Sequence, residues 1–201
     1  LNNGAGGQDQ IVAGRAYNPS NTSAGGIRRA LFEFDISGNL IASSTITSAA
    51  LTLECTTTAN SGAQTFSLQR LTTAWVEGST NNSSQPGKGA PALNGDVTWN
   101  EASSGSLHWN SIGGDFDFPE SVSSSTSVNA LGSYTWPTSA TMVSDIQSWL
   151  NTPANNRGWI LRANESGGQR SVKWFASRTF STANKRPSLS VTFKRPLPSA
   201  P

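Results

Sequence analysis

The chain has 201 residues and a formal net charge of +2, and only 13% of its residues are charged against 35% hydrophobic. Soluble domains carry roughly a quarter charged residues, so Ser, Thr, Asn and Gly stand here where charge would be. One Cys and one His exclude an intramolecular disulfide framework and a two-His zinc motif, and no stretch approaches the roughly 20 apolar residues of a membrane helix.

Residues 1–9 (LNNGAGGQD) are glycine-rich and polar. They are expected to form an N-terminal arm, flexible or ordered by assembly. A start at Leu1, without Met or a signal-type apolar run, is expected of a processed or excised product. A single β-sandwich domain is expected over 10–194. Its first strand is QIVAGRAY at 10–17, followed by turn chemistry at 18–26 (NPSNTSAGG). RRALFEFDI at 28–36 reads as one strand, with Ala30, Phe32, Phe34 and Ile36 on one face.

The segment 46–57 (ITSAALTLECTT) alternates clearly. Leu51, Leu53 and Cys55 point one way, which makes Cys55 a small buried apolar residue. QTFSLQRLT at 64–72 alternates again, with Phe66, Leu68 and Thr72 sharing a face. Residues 78–130 are long, polar and rich in Gly and Ser, with only short strand candidates such as 96–99. Within them, the Ser/Thr run 121–127 reads as a polar loop or an O-glycan carrier. Further strands are expected at 133–136, 158–163, 171–177 and 188–194.

One helix is expected, at 140–151. Met142, Val143, Ile146, Trp149 and Leu150 form an amphipathic stripe, Thr138 or Ser139 caps its start, and Pro153 lies just past its end. The tail 195–201 is Pro-rich and reads as an arm or linker. Many short strands with Gly, Pro and Asn punctuation and a single helix predict an all-β fold, an antiparallel jelly-roll β-sandwich.

Several segments, taken in order, resemble the DNRLRE-domain family. They are RRALFEFDI (28–36), ITSAALTL (46–53), LQRLTTAWVEGST (68–80), VTWNEA (97–102) and HWNSIGGDFD (108–117). MVSDIQSWL (142–150), NNRGWILRA (155–163), VKWFAS (172–177) and RPSLSVTF (186–193) complete the series. The resemblance implies a jelly-roll module of a secreted or surface protein, related to some carbohydrate-binding modules.

The candidate functional residues follow from residue type and place. The seven Trp are the compositional oddity. Trp149, Trp159 and Trp174 sit beside apolar neighbours and are expected in the core. Trp75, Trp99, Trp109 and Trp136 lie at strand ends or in polar surroundings. If exposed, they would stack on sugar rings; otherwise they pin the scaffold. Asp115 and Asp117, on the glycine turn Gly113-Gly114, are the best metal candidates. Hard oxygen ligands there would suit a structural Ca²⁺, whereas the competing reading is a pair of turn carboxylates.

A Ser/His/Asp triad would have to use His108, which reads as a surface histidine. Glu77, Glu101, Asp115, Asp117 and Glu120 are the carboxylates a glycosidase would need to pair. Arg28, Arg29 and Arg178 are expected to tie strands by pairing with Glu33 or Asp35. The sequons at Asn21, Asn82 and Asn164 mark surface turns.

The visible basic clusters, Arg28-Arg29, Lys185-Arg186 and Lys194-Arg195, are no larger than pairs, which argues against nucleic acid as a partner. Low charge and few oxidisable side chains fit an extracellular or cell-surface life. The expected function is non-catalytic: a structural or adhesive component of a surface or filamentous assembly, contacting copies of itself. Polysaccharide binding through the four Trp, as a module of a larger secreted enzyme, is the alternative. A free-standing hydrolase ranks last.

Overall fold

A computed structural model describes residues 3–16, 26–59, 62–82, 84, 87–117, 121–165 and 170–196. The strands run β1 (Asn3–Gly4), β2 (Gln10–Arg15), β3 (Ile27–Arg28), β4 (Ala30–Phe32), β5 (Thr45–Thr58), β6 (Gln64–Arg70) and β7 (Ala90–Pro91). Then come β8 (Glu101–Ser103), β9 (Leu107–His108), β10 (Val122–Val128) and β11 (Gly132–Trp136). Helix α1 (Ala140–Asn151) precedes β12 (Trp159–Arg162), β13 (Lys173–Ala176) and β14 (Ser188–Lys194).

Two antiparallel sheets make the sandwich. One has the order β10-β6-β12-β4; the other has β11-β5-β13-β2-β3, with β14 also paired to β5. The 14-residue β5 is long enough to serve two neighbours on one edge. It pairs with β14 over Thr45–Thr52 and with β13 over Cys55–Thr58, while β11 takes the opposite edge. Inward residues of both sheets meet in one core. Phe66 lies edge-on to Phe175 at 5.4 Å, and Trp136 reaches Phe175 at 6.0 Å. Each such side chain contributes about 2 kcal/mol on burial.

The segment expected as a single strand at 28–36 divides. β3 pairs with β2 in the larger sheet, and β4 pairs with β12 in the smaller. The chain changes sheets at Arg29. The inward parity of Ala30, Phe32 and Ile36 survives the crossing, because the core draws them in from either sheet.

Helix α1 spans the residues expected. The Ser139 hydroxyl accepts from the Met142 amide at 3.0 Å as N-cap, and Pro153 follows the Thr152 C-cap. Met142, Ile146, Trp149 and Leu150 are buried, with Trp149 4.6 Å from Trp159. Asp145 is buried on the same face. Ser123 Oγ donates to it at 2.5 Å and Trp159 Nε1 at 2.9 Å, so one carboxylate ties α1 to β10 and β12. Burial pushes its pKa up despite those two bonds and the nearby Arg70.

Residues 71–117 form a further layer. Ile160 and Leu31 point out of the smaller sheet and are covered by Leu71, Trp75, Val97, Ala102, Trp109 and Phe116. Leu71 is therefore buried and Thr72 exposed, the reverse of the alternation expected there. The strand candidate at 96–99 is irregular chain; β8 and β9 pair just after it. Residues 3–9, expected as a separate arm, pack on this layer. Asn3 and Gly4 pair with Pro91 and Ala90, and the Gly7 amide donates to the Thr80 carbonyl at 3.0 Å. Most of the 18–26 turn, the Asn21 sequon and residues 197–201 of the tail lie outside the described residues, as do Ser83 and Ser166 of the other two sequons.

Candidate functional site

The 71–117 layer has little regular structure, so its backbone amides need other acceptors. Three buried carboxylates supply them. Asp96 accepts from the amides of Ser79 (2.8 Å), Thr80 (3.4 Å) and Leu93 (2.7 Å) and from the Thr80 hydroxyl. Glu101 accepts from the Gly105 amide and the Ser104 hydroxyl. Asp115 accepts from the Asn110 amide (2.9 Å), the Ser111 amide (2.7 Å), the Asn110 side chain (2.9 Å) and the Thr73 hydroxyl (2.7 Å). Burial alone would raise the pKa of Asp96 and Asp115, but these donors outweigh it and hold both below the usual range.

Beside Asp115 lies a cluster of arginines. Arg29 makes a two-bond fork on Glu165 at 2.8 and 2.7 Å, and Arg162 makes another at 3.1 and 2.9 Å. Arg29 also donates to the Gly113 carbonyl at 2.7 Å, and Arg162 to Gln69 Oε1 at 2.8 Å. Both guanidiniums lie over Phe116, 5.4 and 4.6 Å from its ring centre, and Arg29 lies 4.8 Å from the Trp99 ring. Burial would raise the Glu165 pKa, yet the two arginines pull it below normal. The cluster joins the start of β4, the end of β12 and the 99–116 loop.

Asp115 and Asp117 do not converge on a cation site. Four donors already engage Asp115, three on Oδ2 and one on Oδ1, and Asp117 faces Arg70 Nε at 2.9 Å. Among the described residues, no group of three or more His, Cys, Asp and Glu could hold a metal ion. Of the two readings of this pair, the geometry described here is that of turn and ion-pair carboxylates. Gly113 has a different reason for being glycine. Its φ of +93° and the closeness of Arg29 and Trp99 leave no room for a Cβ.

The tryptophans are also redistributed. Trp136 is 0% and Trp109 7% exposed, and their Nε1 groups donate to the carbonyls of Phe66 and Thr98. Neither offers a face to a sugar, which corrects the expectation for both. Trp75 and Trp99 are half-buried; Trp75 donates to the Arg157 carbonyl at 2.9 Å, and Trp99 is stacked by Arg29.

Trp174, expected in the core, is half-buried on the outer face, and its neighbour Lys173 is fully buried instead. The Lys173 ammonium is held by Thr58 Oγ1 at 2.6 Å and the Gly62 carbonyl at 3.3 Å, which lets its apolar stem enter the core. His108 is exposed on β9. Arg29 and Arg178 pair with Glu165 and Glu77, not with Glu33 or Asp35, and Arg28 donates to the Gly87 carbonyl. Glu120 lies outside the described residues.

The remaining candidate is a groove of mixed lining. A cavity of about 360 Å³ opens between the chain after β4 and strand β14, lined by Phe34, Asp35, Ile36, Asn39, Leu40, Leu189 and Val191. Leu189, Val191 and Phe193 reach the main core but stay half-buried, whereas Ile46, Ala49 and Leu51 opposite them on β5 are closed over. Glu165, Arg162 and this groove were not singled out as functional residues from sequence. Glu165 was visible only as the middle of a sequon.

No protein-family model matches the chain, and no curated protein matches it. No helix among the described residues is long and apolar enough to cross a membrane.

Proposed function

We propose that this protein is a non-catalytic structural or adhesive module of an extracellular surface or filamentous assembly, and that it works through contacts between subunits. The observation that carries this reading is the groove beside β14. It is an opening lined chiefly by Phe34, Ile36, Leu40, Leu189 and Val191, a lining suited to packing against protein. The polar chemistry of the chain supports the same reading. Asp96, Glu101, Asp115, Asp117, Asp145 and Glu165 each accept bonds from named neighbours that hold the scaffold together. The resemblance of segments along the chain to the DNRLRE-domain family favours a secreted or surface setting.

Glycan binding is the second reading. With Trp109 and Trp136 buried, it rests on the half-buried Trp75 and Trp99. Light scattering and negative-stain imaging over rising protein concentration test the two together with a glycan-array screen. Self-association without glycan retention is expected. A protein that stays monomeric throughout, yet binds a polysaccharide and loses it on Trp99→Ala, would replace the first reading with the second.

A further inference from the structure

Among the described residues, strand β14 has one backbone edge without a ladder partner. Its seven residues pair with β5, and no other described strand pairs with it. Alternate backbone groups on its far side therefore point away from the sheet. Edge strands are usually blunted by a central charge, a proline or a bulge. In β14 the Pro and Lys stand at the ends, as Pro187 and Lys194, and the stretch Ser188–Phe193 is uncharged. The one irregularity, at Thr192–Phe193, skips Thr47 of β5, so the extra residue belongs to β5 and β14 itself stays regular. Its exposure alternates without a break.

The alternation is self-complementary. In an antiparallel pair of two β14 strands about a two-fold axis at Val191, all seven residues find partners. Val191 meets its copy, Leu189 meets Phe193, Ser190 meets Thr192, and Ser188 meets Lys194. Apolar residues stay on the groove side and hydroxyls outside, and no like charges stand opposite one another. The half-buried Leu189, Val191 and Phe193 of two copies would then form one apolar strip joining the two grooves.

We infer that β14 is a self-pairing edge, and that a second copy of this chain docks there antiparallel, centred on Val191, to make one continuous sheet across the dimer. This rests on the subunit-contact reading above and names the surface. A seven-residue edge is about 23 Å long. It covers less than the roughly 800 Å² per partner of a standard interface, so the pair is expected to be weak and concentration-dependent.

The test is disulfide trapping. Two-fold partners in an antiparallel pair lie about 4.5–5.5 Å apart at Cα, within disulfide reach. Mild oxidation of Val191→Cys is expected to give a covalent dimer. Ser188→Cys is expected to give none, because its own copy lies about 20 Å away in this register. Val191→Lys, which sets two ammoniums face to face, is expected to weaken association at least tenfold, with circular dichroism and a thermal melt checking that it folds. Wild-type association with no Val191→Cys dimer would overturn the β14 pairing alone. A wild-type chain that never associates would overturn both this inference and the reading it rests on.

Discussion

Asp115 shows how one carboxylate can replace a stretch of secondary structure. It gathers two backbone amides and two side-chain donors from residues 73, 110 and 111, in a loop with no ladder of its own. Its pKa is lower in the folded chain than in the unfolded one. Its contribution is thus complete above the unfolded value near about 3.9 and is lost as pH falls through the lower folded value. Asp115→Asn keeps the shape but gives up one acceptor oxygen and the charge. A loss of about 1–3 kcal/mol is expected at neutral pH. Urea midpoints of the two proteins should then converge as pH falls through the lowered folded value; a gap that stays constant into acid would count against the carboxylate's role. In sequence, a carboxylate beside two glycines reads as a turn acceptor or as a Ca²⁺ ligand. The donors that decide between them come from Thr73 and the Asn110-Ser111 backbone, and composition does not reveal where those groups point.

At the scale of elements, the Arg29–Glu165–Arg162 cluster is one of the polar contacts that hold the layer 71–117 to the sandwich. Glu165→Gln leaves two partly buried guanidiniums near Phe116 without their counter-charge. Breaking a buried pair typically costs about 3–5 kcal/mol; the partial exposure here puts the expectation near 2–3. The loss should be local. Amides of residues 97–117 are expected to exchange with deuterium sooner, while those of β5 and β6 stay protected. Equal acceleration across both would show that the layer and the sandwich unfold as one unit.

Elements whose periodicity was driven by the main core were legible: α1, β5, β6, β11 and β14 lie where their apolar spacing puts them. β10 was not, because its sequence VSSSTSV buries Ser123 and Ser124 where a strand normally buries apolar side chains. Those two hydroxyls are paid for by Asp145 and the Pro137 carbonyl, partners remote in sequence. β13 keeps its alternation, since the register shift skips Thr56 of β5 and its pairing with β2 is unbroken, but its residue types hide it: Lys173 and Phe175 face inward, the ammonium bonded to Thr58 Oγ1, and Trp174 faces outward.

For the whole molecule, the scarcity of charge determines how association should respond to solvent. A net +2 over 201 residues supplies no strong long-range repulsion or steering. The β14 edge itself is uncharged from Ser188 to Phe193, and the groove beside it is lined mostly by Phe34, Ile36, Leu40, Leu189 and Val191. Contacts of that kind are driven by apolar burial and backbone hydrogen bonds, neither of which is screened by simple salt. Raising NaCl from about 0.05 to 0.5 M shortens the Debye length severalfold, yet the oligomer fraction measured by light scattering should hardly change. Sulfate should increase it, and cooling should reduce it, as the apolar contribution strengthens and weakens. A steep fall with NaCl would instead point to the basic pairs Lys185-Arg186 and Lys194-Arg195 meeting an acidic surface. Since Lys185 already pairs with Glu54 at 3.0 Å, the salt-insensitive outcome is the one this chain's charge distribution favours.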